Sequence, residues 1–222
     1  MSLPQIIKSY KNKQKVYSLN DAFNVLKGSK KAYNISHDND DLRYLYALCL
    51  RCRHGRRMPW KYTKDAVDLL MKQNILSQSF QSFEQLYDDL KNILNNIPFV
   101  RGDLTIYDTS VNIGQILNSP VSPQKYIYLA AGSRKGAKLL LGKKRVQRKM
   151  PISDFRKLFK GISIIDIENM LCIYKPLFEK MNEGQHLSQQ DIDKAYVQHC
   201  FFPKPKNDYI SKLNKYSCFT NP

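Results

Sequence analysis

The chain has 222 residues, 42% of them hydrophobic, with 14 Tyr and 10 Phe. That is enough apolar material for one sizeable domain or two small lobes, and it excludes both disorder throughout and dependence on disulfide or metal staples. Thirty-six Lys and Arg against 19 Asp and Glu leave a formal charge of +17, which disfavours acidic ligands' opposites and favours a polyanionic partner, nucleic acid ahead of an anionic membrane.

Residues 1–17 carry Lys8, Lys11, Lys13 and Lys15 with little apolar patterning, and a loose basic arm is expected there. Ser18 and Asp21 have the spacing of a capping box, in which the hydroxyl accepts a backbone N–H and the carboxylate reaches back. They would open a short helix that Gly28 stops. In residues 38–55, Asp38, Asp40 and Asp41 stand at the start and Arg51 near the end, the charge order a helix dipole favours. Leu42, Leu45, Tyr46, Cys49 and Cys52 repeat at the spacing of one buried face. A break at 58–60 precedes a further helix over 63–71.

Ser82 and Gln85 make a second capping box. Phe83, Leu86, Tyr87, Leu90, Ile93 and Leu94 then give the clearest amphipathic stripe in the chain. Thr105 and Asp108 are read as caps of the next helix, with Ile106, Ser110, Ile113 and Leu117 on one face. Residues 119–124 form a turn region and the expected boundary between lobes. Residues 126–129 are either a buried strand or the start of a helix. Helices follow over 133–141, closed by Gly142, and over 153–160, capped by Ser153 and ended by Gly161. A long apolar helix over 162–181 is interrupted at Pro176, which removes one backbone bond. Ser188 and Asp191 cap a last helix that runs to His199.

The expected fold is an all-α, multi-helix globular protein. Its parts are a basic arm (1–17), an N-terminal helical lobe (18–118), a C-terminal helical lobe (125–202) and a tail (203–222). The lobes either stand apart or merge into one compact domain. The five cysteines are scattered and odd in number, which fits reduced thiols. No apolar run reaches the length of a membrane span and no signal-peptide core is present, so the expected location is cytoplasmic, or nuclear in a eukaryote.

Charge is segregated. Acids are absent from 42–64 and from 109–153. The first window holds Arg43, Arg51, Arg53, Arg56, Arg57, Lys61 and Lys64, with Trp60 and Tyr62 among them. These rings are suited to stacking on bases or guanidinium groups, and Trp60 equally to anchoring a core. The second window contains "GSRKGAKLLLGKKRVQRKM" (132–150). It fails as a nucleotide P-loop, because no pair of its glycines has the required spacing and Lys143 is followed by Lys144 where Ser or Thr is needed. A basic sorting signal is one remaining reading. The other is phosphate contact: Ser133 and the N–H groups after Gly132 would hold an anion at a helix start. Arg134, Lys135, Lys138, Lys143, Lys144, Arg145, Arg148 and Lys149 would position a nucleic-acid backbone without reading its sequence. Cys49 and Cys52 have zinc-like spacing, yet both fall on an apolar helix stripe, where that spacing is the core period. Neither a metal nor a cofactor is called for.

"VRGDLTIYDTSVNIGQIL" (100–117) resembles the helix-hairpin-helix DNA-repair glycosylase superfamily. Gly102, Asp103 and Thr105 match its hairpin, although Val100 stands where the family has its first glycine. The resemblance implies a hairpin that holds a DNA phosphate through Gly102 and Thr105. It also implies a catalytic carboxylate at Asp108, which would stabilise the cationic sugar of a flipped nucleotide. The leading functional expectation is a nucleic-acid-binding protein, DNA before RNA, whose two basic windows share a face. The alternatives are a glycosylase-like enzyme acting through Asp108 and an adaptor for an acidic protein partner.

Overall fold

The computed structural model describes residues 2–14, 39–51, 58–100 and 102–198. The helix expected after Ser18, residues Cys52, Arg53, Arg56 and Arg57, and the tail 203–222 lie outside the described residues. Within them the helices are α1 (Leu3–Gln14), α2 (Asn39–Arg51), α3 (Trp60–Lys72), α4 (Phe83–Leu94) and α5 (Asp103–Ile116). Strand β1 (Tyr126–Tyr128) and α6 (Ala131–Leu141) follow, then β2 (Lys149–Pro151), α7 (Ser153–Arg156), α8 (Ile164–Ile173), α9 (Lys175–Asn182) and α10 (Gln189–Gln198). Helices dominate and one two-stranded sheet joins them, so the all-α expectation holds. No helix among the described residues is long and apolar enough to cross a membrane. The chain divides into two compact units, one of Met1–Ser18 with Pro123–Cys200, the other of Leu19–Ser122 with Phe201–Pro222.

In the second unit, α5 is the central helix. Every residue from Ile106 to Gly114 is buried, and the helix packs on both α4 and α2. Three of its buried polar side chains bond to backbone: the Thr109 and Ser110 hydroxyls each donate to the carbonyl four residues back at 2.8 Å, and Asn112 donates to the Cys49 carbonyl of α2 at 2.8 Å. That back-bonding is how hydroxyls are tolerated in a buried helix. Gly114 lies against the Val121 backbone, where a Cβ would overlap the carbonyl oxygen. The capping role expected of Thr105 and Asp108 is corrected here. The N-cap is Gly102, Thr105 donates to the Phe99 carbonyl at 3.3 Å, and Asp108 falls in mid-helix. On α4 the Ser82 hydroxyl accepts from Gln85 N–H at 3.2 Å as expected. The returning bond differs, because the Gln85 carboxamide accepts from Gln81 N–H, one residue earlier. Helix α3 starts at Trp60, before the expected Thr63, because Pro59 provides the extended residue that precedes a helix.

In the first unit, the loose arm expected over 1–17 is instead helical over Leu3–Gln14. Ile6 and Tyr10, four residues apart and therefore on one face, are wholly buried. Tyr10 donates to Asp166 at 3.1 Å, and its ring meets Tyr174 and Tyr196 edge-on with centroids 6.3 Å away.

Burial and the neighbouring Asp166 carboxylate push the Tyr10 phenol well above its ordinary value of 10.0. Burial, followed by the charges of Tyr196 and Asp193, raises Tyr174 as well. A raised folded-state value means the neutral phenols contribute stability fully below pH 10.0, and this is lost as pH rises toward the folded values. Alkaline titration is therefore expected to show delayed phenolate absorbance for these tyrosines, coincident with loss of helical circular dichroism. Phenolate that forms at the ordinary pH while the helices persist would contradict their burial.

Strands β1 and β2 are antiparallel, with Ile127 opposite Met150 and Tyr128 opposite Lys149. Ile127 and Met150 point into the core. Helix α6 packs closely on α8, and Gly136 permits it: a Cβ there would overlap the Leu171 carbonyl oxygen, with the carbonyl carbon only 2.8 Å away. Ser153 is the first helical residue of α7, not its cap. Ser163, unremarked in sequence, caps α8 through a 3.1 Å bond from Asp166 N–H. The long apolar helix is split at Tyr174, and Pro176 sits in the first turn of α9, where its missing N–H costs nothing. Ser188 and Asp191 form a complete capping box, with reciprocal bonds of 3.1 and 2.9 Å. Ser188→Ala is expected to lower stability by about 1 kcal/mol, read as a lower denaturation midpoint.

Candidate nucleic-acid interface

The second acid-free window folds into α6, one turn of 3-10 helix at Lys143–Arg145, and β2. The two glycines that opened the question of a phosphate cradle turn inward. Gly136 faces Leu171, and a Cβ on Gly132 would overlap the Cys172 sulfur. Ser133 is buried, and its hydroxyl donates to the Ala130 carbonyl at 2.9 Å while accepting Ala130 N–H at 3.2 Å. The anion-binding role expected of Ser133 is therefore corrected: the hydroxyl closes its own helix start and offers nothing to a ligand.

The cations lie elsewhere on the same stretch. Arg134 and Lys138 are half-buried along α6, and Lys135 is exposed with its ammonium 3.5 Å from Glu179. Gly142, at φ +89°, turns the chain out of the helix; a positive φ of this kind suits a residue without a Cβ. Lys143, Lys144 and Arg145 then follow, all exposed and none ion-paired among the described residues. Buried Val146 and Met150 fasten the segment on its far side, so the charges stand on an anchored base. Arg148 and Lys149 are exposed. Lys149 holds its ammonium 4.5 Å from the Tyr126 ring centroid and 5.4 Å from that of Tyr128. Strand alternation puts these three side chains on one face of the ribbon, opposite Ile127 and Met150. The Tyr126–Lys149 pairing was missed in sequence, because a three-residue strand gives too little alternation to establish its register.

Two other lysines of this unit are engaged by acids. Lys13 meets Asp193 at 2.7 Å and Lys180 meets Asp191 at 2.8 Å. A groove of about 510 Å3 between α1 and α10 is lined by Lys8, Lys13, Gln189 and Asp193 among others. Four of its polar groups already bond one another, Gln189 donating to both Ser9 and Asp193 and Lys13 pairing with Asp193.

The first basic window belongs to the other unit and contributes less than its sequence promised. Arg51 is 9% exposed and donates to the Met58 carbonyl at 2.6 Å and to Thr63 at 3.0 Å. It joins the end of α2 to the start of α3, so its expected phosphate contact is corrected to a structural one. Arg43 is paired with Asp68. Arg53, Arg56 and Arg57 lie outside the described residues, as does the side chain of Trp60. Lys61 and Lys64 remain exposed on α3.

Gly102 is exposed at the start of α5, in the connection between the packed helices α4 and α5, with ordinary backbone at φ −71°. The positive φ of this connection falls on Phe99 instead. Asp108 has no exposed surface, whereas the catalytic role implied by the resemblance needs a carboxylate that reaches a sugar.

These features define a helical protein with an anchored, acid-free cationic segment. Comparison with protein-family models, curated proteins and solved structures finds no match.

Proposed function

We propose that the protein binds nucleic acid through the phosphate backbone, using Lys143, Lys144 and Arg145 with Arg148, Lys149, Lys135 and Lys138 around them. The observation that carries this reading is local density of charge: three consecutive exposed cations at 143–145 stand in a stretch, 109 to 153, that contains no acid. Backbone N–H groups and side-chain cations of this kind fix a strand's position without reading bases. DNA is placed ahead of RNA because Gly102 ends the connection between two packed helices and Thr105 stands in the first turn of the second, the setting that the resemblance implies. The test is fluorescence anisotropy with duplex DNA, single-stranded DNA and RNA across a salt series. Binding whose log–log salt slope reaches several units supports the reading, since each phosphate neutralised on duplex DNA contributes roughly 0.9. Absence of binding to all three near physiological salt would overturn it and direct attention to an acidic protein partner.

A further inference from the structure

Phe99 is the one large apolar side chain left exposed among the described residues, at 62%. It is the third residue of a turn that Val100 N–H closes onto the Ile97 carbonyl at 3.2 Å, with Pro98 before it. Its φ is +66°. Glycine or asparagine is the usual resident of such a position, because a Cβ is disfavoured there. Backbone preference therefore opposes phenylalanine, and burial returns little for it. The turn is nonetheless braced. The Phe99 carbonyl accepts from Thr105 at 3.3 Å, and its ring lies 5.3 Å from the Tyr62 ring at a 34° tilt. Tyr62 is half-buried in the first turns of α3, and Lys61 and Lys64 are exposed on the same turns of that helix. Neither lysine is ion-paired among the described residues.

A strained, braced, solvent-facing ring, in contact with a helix turn that also exposes two cations, suits a ligand that is both flat and anionic. We propose that Phe99, supported by Tyr62, stacks an unpaired nucleobase, so that this unit takes single-stranded nucleic acid with its phosphates at Lys61 and Lys64. The proposal rests on the nucleic-acid reading above and adds the strand state. Stacking accepts any base, so the ring selects unpaired strands over duplex without choosing a sequence.

The test compares the wild-type full chain with Phe99→Asn, which suits the positive φ, and Phe99→Trp, which keeps an aromatic face. Binding is followed by anisotropy on single-stranded DNA, single-stranded RNA of matching sequence and duplex DNA, with a melting curve for each protein. Phe99→Asn is expected to weaken single-strand binding by roughly five- to 150-fold, with duplex affinity and salt slope unchanged, while Phe99→Trp retains binding. Loss on both single strands assigns the platform to either sugar, and loss on one alone assigns it to that strand. Lys61→Gln with Lys64→Gln should reduce the single-strand salt slope by about 0.7 per contact. A folded Phe99→Asn protein that binds both single strands like wild type overturns the stacking platform alone. A wild-type protein that binds no nucleic acid overturns the reading beneath it as well.

Discussion

Replacing Lys143, Lys144 and Arg145 together by Gln is expected to weaken duplex binding roughly a hundredfold near physiological salt, and to lower the log–log salt slope by up to about 2.7. The figure follows if each of the three residues meets one phosphate. Stability should hardly change, because all three are exposed and hold no acid among the described residues. Surface substitutions of that kind usually stay within about 0.5 kcal/mol. Lys135→Gln is the internal comparison. Its ammonium already lies 3.5 Å from Glu179, and a cation with a protein partner has less to give a phosphate, so its slope change should be the smaller. Anisotropy with parallel thermal melts separates the cases. A triple variant that binds with wild-type affinity and slope removes this turn from the interface.

Gly136→Ala is expected to destabilise the protein by about 3 kcal/mol, at the upper end of overpacking effects in well-packed cores. The new methyl would meet the Leu171 carbonyl oxygen, its carbon at 2.8 Å and its Cα at 3.1 Å. Every one of these atoms is backbone, so no side chain can swing aside and the two helices must separate. The gain in helix propensity from Gly to Ala is only about 1 kcal/mol and does not offset the clash. Gly132→Ala should cost less, since its nearest neighbours are the Cys172 sulfur and the Lys175 ammonium, and both can rotate. Urea denaturation midpoints would rank the two. A Gly136→Ala protein as stable as wild type would mean that α6 and α8 do not approach this closely.

What the sequence made legible was local. Ser82 and Ser188 announced helix starts because a cap and its partner lie three residues apart, and the stripe of α4 was plain because one face is apolar. Helix α1 was not legible: Ile6 and Tyr10 are sparse among lysines, and their burial depends on Asp166, Tyr174 and Tyr196. The site divides the same way. Acid-free windows can be counted, so Lys143–Arg145 stood out, but Arg51 looked identical to them until Met58 and Thr63 were found on its guanidinium. Gly132 and Gly136 were ambiguous because glycine permits backbone approach by a phosphate and by another helix alike. Phe99 gave no signal, because a positive φ is ordinarily foretold by glycine or asparagine.

The docking of α1 beside residues 123–200 makes that unit discontinuous in the chain, with Leu19–Ser122 assigned to the other. A ribosome delivers α1 well before its partner Tyr196. At about 5–20 residues per second, the Ile6–Tyr10 face waits roughly 10–40 s for completion. Over that interval an amphipathic segment rich in lysine is available to holdase chaperones. Nascent chains arrested before α10 should stay bound to such chaperones longer than chains extended past it.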